Sequence, residues 1–304
     1  MPPTIADYRN RPSHPDRIVG GLRIRGGFYN KSEPGKPLVS IITPVRNGEK
    51  ILEQAIQSVI NQTYHNIEYI IIDGASTDHT IDIIRKYKDR IAYWMSEPDD
   101  GISDAFNKGI AASNGEIIGL LNADDWLSVD QLELGVATLN KSPADFVFGD
   151  LLFYDASGTF KYRVNGDTDY SVTINSVMPA LCHPTVLVKR KAYDKIGLFD
   201  TNYRIAMDYE WFLRLHKNGG IGEYAKGLLG HMRIAGISDI SYVTAFDEMR
   251  QIAVRYGQSK RIANYLFLYR IFKGAVRRNL EKWTPTTLYH WMRRIVNQQY
   301  SSHR

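Results

Sequence analysis

Between residues 39 and 121, four short apolar runs alternate with three amphipathic segments, and no other feature of the chain limits its fold as much. Residues 39–43, 69–73, 91–95 and 116–121 are rich in β-branched and aromatic side chains and too short for buried helices, so they read as strands. Residues 50–63 are apolar at 51, 52, 55, 56, 59 and 60, the spacing of one helix face. Residues 77–88 and 103–113 also read as helices, the first with Ser76 or Thr77 able to cap it. Strand–helix alternation at this spacing predicts an α/β fold with a mostly parallel sheet covered on both faces.

The pattern changes after residue 142. Residues 145–154 and 159–164 flank Asp155-Ala-Ser-Gly158, a hairpin signature. Residues 183–188 are expected to form another strand and 209–217 a short helix. The chain reads as helical from about residue 241, with a break at Thr284-Pro285. Residues 1–36, rich in Pro, Gly and Arg, read as a loose extension with a short strand at 17–24. The expected division is therefore an extension at 1–36, a catalytic-type α/β domain at 37–240 with halves at 37–125 and 126–240, and a helical region at 241–304.

Composition excludes several classes. The single cysteine, Cys182, cannot form an intramolecular disulfide or a cysteine-based zinc site, and it reads as a small buried apolar residue in a reducing compartment. No apolar stretch approaches the length of a membrane span, and the polar, Pro-rich start does not resemble a secretory signal. From Met249 onward there are twelve Lys/Arg and one acid, Glu281; the first 248 residues hold the other 26 Lys/Arg and 32 Asp/Glu. A basic, aromatic-bearing tail on an acidic body points to an anionic partner surface, such as a membrane; the alternatives are a helical cap packed on the catalytic domain with a solvated basic face, and a dimer interface. No nucleic-acid recognition motif accompanies the charge. The absence of GxGxxG, GxxxxGK[ST] and HExxH argues against a dinucleotide-dependent dehydrogenase, a P-loop NTPase and a zinc protease.

The chemistry-bearing residues cluster where strands end. Residues 117–121 run into Asn122-Ala123-Asp124-Asp125, placing acids at the carboxyl edge of a sheet, where open α/β sheets bind ligands. Carboxylates there suit a hard divalent cation that would itself hold phosphates; an acidic turn capping the next helix is the alternative. Pro44, Val45, Arg46 and Asn47 follow the first strand as a pocket wall or a turn capped by Asn47. Asp73 ends the second strand and serves either as acceptor for a base or ribose or in an Asx/ST turn. Gly101 permits a tight turn before Asp104 and Asn107, which share a helix face, in a cleft or solvated. Asp208 opens a short amphipathic helix as a general base or an N-cap.

In order, these clusters are Val-Ser-Ile-Ile-Thr-Pro-Val-Arg-Asn, Ile-Ile-Asp-Gly-Ala-Ser-Thr-Asp, Asp-Gly-Ile-Ser-Asp-Ala-Phe-Asn-Lys-Gly, Leu-Asn-Ala-Asp-Asp and Met-Asp-Tyr-Glu-Trp-Phe-Leu-Arg. Across about residues 37–235 the chain resembles glycosyltransferase family 2, inverting sugar transferases of the GT-A fold. The resemblance implies a nucleoside-diphosphate sugar donor, with a UDP-sugar favoured, and a saccharide or lipid-linked saccharide acceptor in cell-surface polysaccharide synthesis. It implies Mn2+ or Mg2+ as cofactor and a cytoplasmic location, peripheral on the inner face of the plasma membrane. Pro44, Val45, Arg46, Asn47, Asp73, Gly101, Asp104, Asn107, Asn122, Ala123 and Asp124 would then line the donor site. Asp124, Asp125 and His231 would be the candidate metal ligands, and Asp208 the base. Two positions depart from the family pattern: Asn122 replaces the first carboxylate of the DxD motif, and Gly74 follows Asp73 where many relatives carry a second Asp. The rivals are a sugar-nucleotide nucleotidyltransferase, whose Gly-rich basic triphosphate loop is missing after the first strand, and a decayed carbohydrate- or membrane-binding module.

Overall fold

The computed structural model describes residues 2–28, 30–234 and 242–283. The chain divides into two compact units, Met1–Tyr242 and Val243–Arg304. The expected break at Thr284-Pro285 and the basic residues beyond it lie outside the described residues.

The first unit is organised by a ten-stranded sheet. Its strands are β1 (Ile18–Gly20), β2 (Val39–Val45), β3 (Ile67–Asp73), β4 (Tyr93–Ser96), β5 (Ile117–Leu120), β6 (Trp126–Leu127), β7 (Phe146–Tyr154), β8 (Phe160–Val164), β9 (Leu187–Lys189) and β10 (Gly222–Arg233). The spatial order is β1-β4-β3-β2-β5-β9-β7-β10-β6, with β8 paired to β7. Strands β4, β3, β2 and β5 are parallel neighbours, and β7 and β10 form a second parallel pair. Because β9 is antiparallel to both β5 and β7, these two groups point the same way. The helices are α1 (Ile5–Arg9), α2 (Leu52–Ile60), α3 (Thr80–Lys86), α4 (Ile102–Ala112), α5 (Gln131–Lys141), α6 (Tyr170–Thr173), α7 (Arg190–Ile196) and α8 (Met207–Lys217).

Every residue of β2 is buried, as a strand covered on both faces requires. On one face Val39 and Ile41 join Leu52, Ala55, Ile56 and Val59 of α2 and Tyr69 and Ile71 of β3 in one cluster. On the other, Gly109 of α4 lies so close to Ile42 and Ile72 that an added Cβ would overlap the Ile42 side chain. The alternation of strand side chains thus supplies both layers. Fully burying each such aliphatic side chain is worth about 1.5–3 kcal/mol.

Two regions depart from the sequence expectation. Residues 183–188 were expected as one strand, but His183–Thr185 form a 3-10 turn and only Leu187–Lys189 pair as β9. Residues 2–28 are not loose. The buried Tyr8 hydroxyl donates to Asp104 (2.7 Å), Arg9 Nε to the Ala111 carbonyl (2.9 Å) and Arg23 Nη1 to the Ala112 carbonyl (2.7 Å), while β1 pairs antiparallel with β4. Arginine side chains spent on helix-end carbonyls leave no periodic signal.

Strands β7 and β10 lose register between Tyr224 and Leu229, and there the Leu228 carbonyl faces Gly149. A Cβ at 149 would overlap that carbonyl oxygen, which is backbone and cannot rotate away. Gly149→Ala is therefore expected to cost about 1–3 kcal/mol, read as a fall in melting temperature of roughly 3–10 °C. An unchanged melting temperature would contradict this packing.

Candidate active site at the carboxyl edge of the sheet

Strand register brings Val45, Asp73 and Ser96 level across β2, β3 and β4. Asp73 is fully buried and accepts from Ser96 Oγ (2.6 Å), Ser76 N (3.0 Å) and Ser76 Oγ. Pro44 and Val45 are buried, whereas Arg46 and Asn47 are exposed. Asn47 does not cap α2, whose N-cap is Ile51 with no side-chain bond. It has φ 53°, its Oδ1 accepts from Thr77 N (2.9 Å), and its N–H donates to Ser76 Oγ (2.8 Å). Gly48 N to Thr80 Oγ1 (2.8 Å) and Glu49 N to Asp78 Oδ2 (3.1 Å) complete a brace between the loops after β2 and β3.

The Asp73-Gly74 departure has a structural counterpart. A Cβ at Gly74 would overlap the carboxylate of Asp99, which also accepts from Gly101 N (2.9 Å). Burial holds the Asp99 carboxyl above the usual range, against the pull of Lys108 and Arg46. A second acid thus stands against Gly74, delivered from the loop before α4 and not from the end of β3. Sequence reasoning omitted Asp99 from the site, although it opens the Asp99-Asp-Gly-Ile-Ser-Asp cluster. Gly101, φ 106°, caps α4 through its backbone and is exposed. Asp104 and Asn107 do share a face, but it points inward. Asp104 takes Tyr8 OH, Arg11 (2.8 Å) and Lys108 (3.1 Å), and Asn107 exchanges two 2.9 Å bonds with the Phe199 backbone. Both are occupied in bracing the N-terminal segment and the chain after α7.

At the end of β5, Asn122 and Asp124 are half-buried, while Ala123 and Asp125 are buried. Asn122 Nδ2 donates to Asp125 Oδ2 (3.1 Å), and Arg233 N to Asp125 Oδ1 (3.4 Å). Burial, then the neighbouring Asp124 charge, push Asp125 well above the ordinary carboxylate range; burial also raises Asp124. Asn122 Oδ1 is a buried acceptor without a hydrogen-bond partner. Two desolvated acids beside an orphaned amide oxygen form a hard-oxygen set that a divalent cation would satisfy.

His231 does not complete that set. Its ring stacks on Trp126 (5.2 Å), its Nε2 lies 2.9 Å from Ser128 Oγ, and its Nδ1 lies 3.1 Å from Tyr154 OH. With hydroxyls on both nitrogens it works as a spacer between β6 and β10. Among the described residues no three His, Cys, Asp or Glu side chains converge on one metal position. The basic group brought here is Arg233, at the end of β10, which no motif marked. Its guanidinium lies over Trp126 (5.3 Å) and bonds Gln54, while its buried Nε has no partner.

Asp208 lies in the first turn of α8, half-buried, with Oδ1 accepting from Tyr209 N (2.7 Å). The N-cap is Ala206, so Asp208 is not the capping residue, although the helix dipole favours its charge. Ser103 Oγ, beside Gly101, meets Met207 Sδ (2.7 Å) and the Tyr203 carbonyl (2.8 Å). The starts of α4 and α8 are thereby joined. The buried Glu210–Arg214 pair (3.0 Å), with Arg214 Nη2 to the Leu198 carbonyl (2.7 Å), anchors α8 from below.

The Cys182 thiol is pushed up to about 12 by burial, which agrees with an inert side chain. The next residue, His183, has a buried, unpartnered Nε2 and shares a small apolar cavity with Ile118, Leu120, Phe199 and Trp211. Burial lowers its imidazole to about 4. Below pH ~6.5 the unfolded chain protonates here while the folded chain does not, so stability is lost as pH falls from ~6.5 toward 4. His183→Asn is expected to reduce the slope of unfolding free energy against pH in that window by about one proton. Equal slopes in urea titrations of both proteins would refute this.

A family model described as glycosyl transferase family 2 matches residues 40–197, more than half the chain. The chain belongs to glycosyl transferase family 2. An uncharacterized glycosyltransferase of Rickettsia typhi is 34% identical over 191 residues, 60% of each chain. A PGL/p-HBAD biosynthesis glycosyltransferase of Mycobacterium tuberculosis is 28% identical over 187 residues, 60% of this chain and 71% of the relative. The match thus spans about 60% of the length of the Rickettsia relative. Among solved structures, S. aureus TarS in complex with UDP-GlcNAc superposes with TM-score 0.58 at 16% identity, covering 84% of this chain and 78% of that one. A Pyrobaculum calidifontis mannosyltransferase with GDP-Man and Mn2+ gives 0.56 at 15%, covering 97% and 85%. These neighbours share the GT-A fold with this family 2 member.

Proposed function

We propose that this family 2 protein transfers a sugar from a nucleoside-diphosphate sugar to a hydroxyl of a saccharide or lipid-linked saccharide, with inversion at the anomeric carbon. The observation that carries the reading is the edge after β5, where the orphaned Asn122 oxygen and two under-compensated acids await a positive partner. Asp73 and Asp99, framed by residues 44–47, receive the nucleoside. Asn122 and Asp124 would hold Mn2+ or Mg2+, which when bound neutralises charge gathering on the diphosphate. Arg233 offers its unpaired Nε to the same diphosphate. Asp208 takes the proton from the acceptor hydroxyl as its oxygen attacks and the bond from anomeric carbon to diphosphate oxygen breaks.

The neighbours' complexes with UDP-GlcNAc and GDP-Man support a nucleotide-sugar donor, and a UDP-sugar remains the favoured one. Site in 37–125, acceptor half in 126–240, and work at the inner face of the plasma membrane in cell-surface polysaccharide synthesis complete the proposal.

A thermal-shift series with UDP, UDP-GlcNAc, GDP and GDP-Man, with and without Mn2+, tests it. Ligand at about 100 times its dissociation constant adds ~2.7 kcal/mol, a rise of several degrees. One nucleotide is expected to give a Mn2+-dependent rise that Asp124→Ala removes and Asp99→Ala reduces. A flat response to every nucleotide would overturn the reading.

A further inference from the structure

The second unit contains α9 (Tyr242–Arg255) from Val243 onward, and α10 (Lys260–Trp283). One side of α10 meets α9: Arg250 lies over Phe267 (5.7 Å) and reaches Asn264 Oδ1 (3.4 Å), and Arg270 lies over Phe246 (6.0 Å). Ala263 is buried on that side. The other side carries Ile262, Tyr265, Leu268, Tyr269 and Phe272, between 50 and 69% exposed. At 3.6 residues per turn these five fall within an arc of about 120°. The Tyr265 and Tyr269 rings stack (6.4 Å), making the stripe continuous. Lys260 and Arg261, both exposed, stand at its head. A helix apolar on its outer side as well as its inner one has a second surface to bury.

We propose that α10 lays this stripe on an anionic membrane surface. Charge chooses the occupant. From Val243 to Arg304 there are twelve Lys/Arg against three acids, Asp247, Glu248 and Glu281, so a second copy seated on the stripe would bring like charge against like. An anionic headgroup layer attracts the same residues, by about 1 kcal/mol for each one near the surface. Tyrosines suit the headgroup boundary, where a polar tip and an apolar ring are both satisfied. No helix among the described residues is long and apolar enough to cross a membrane, so α10 lies in the interface plane. The stripe would carry the membrane placement proposed above, and its test, which uses no sugar, leaves the transferase reading standing whichever way it falls.

The full chain is mixed with phosphatidylcholine vesicles, with and without phosphatidylglycerol, at low and high salt, and bound protein is separated by flotation. Binding is expected only with phosphatidylglycerol and is expected to weaken with salt. The variant Tyr265→Ser/Leu268→Ser/Phe272→Ser is expected to lose at least ~tenfold in affinity, with helicity and melting temperature retained because all three side chains are exposed. Lys260→Glu/Arg261→Glu is expected to weaken binding and flatten its salt dependence. Equal binding to neutral vesicles, or wild-type binding by the serine variant, overturns the proposal. So does light scattering in which the wild type is a dimer that the serine variant converts to monomer, since the stripe would then be a seam between copies.

Discussion

Asp208→Asn is expected to lower sugar transfer by roughly 10²–10⁴-fold while leaving nucleoside-diphosphate affinity within about twofold. Asn has the shape of Asp, and its amide oxygen can still accept from Tyr209 N, so the turn that opens α8 is kept. It cannot hold a proton taken from an acceptor hydroxyl. In the proposed site the donor contacts and the base would lie on different elements. Asp73 ends β3 and Asp99, Asn122 and Asp124 follow strands, whereas Asp208 comes from α8, joined to the start of α4 through Ser103 and Met207. Turnover and nucleotide binding, by transfer or donor-hydrolysis assays and by calorimetry, should therefore separate. A variant with normal turnover would remove Asp208 from the reaction. Equal loss of binding and turnover would make it part of the donor site.

Glu210→Ala carries the largest expected cost in stability, about 3–5 kcal/mol. Glu210 is fully buried and Arg214 6% exposed, and they pair at 3.0 Å one helical turn apart. Removing the acid leaves a desolvated guanidinium whose remaining partners are the neutral carbonyls of Ile196 and Leu198. Replacing both residues, as Glu210→Leu/Arg214→Met, is expected to cost less than the single change, because no uncompensated charge remains buried. Urea unfolding of the two variants decides this. If the double variant is the less stable, the pair's bonds to the Ile196–Leu198 backbone outweigh the cost of burying its charge.

The strands and helices between residues 39 and 121 could be read directly, because a buried strand and an amphipathic helix each write their period into neighbouring residues. So could the arrival of Asn122, Asp124 and Asp125 at a sheet edge, which needs only an apolar run and its end. β10 was not legible. Residues 222–233 contain Gly222, Gly227 and Gly230 with Glu223, Lys226 and Arg233, and no alternation marks them as a strand. They become one by pairing with β7 along most of its length and with β6 at His231. Helix α5 was likewise passed over, and the short β9 lies antiparallel between two parallel groups, which no local pattern announces.

By itself, the sequence determined the α/β class, the family and the residues standing at strand ends, since each rests on order and spacing within a few residues. Only the tertiary structure decided what those residues touch. Asp104 and Asn107 share a helix face at any level of description, but Tyr8, nearly a hundred positions away, and Phe199 make that face an interior one. His231 has the right side chain for a metal, yet Ser128 and Tyr154 take its nitrogens. Asp99 fills the space Gly74 leaves, and the Arg233 backbone N–H reaches Asp125 across 108 positions of the chain. Hydrogen bonds and desolvation depend on which distant segments share a volume, and that is set by sheet order, not by neighbours along the chain.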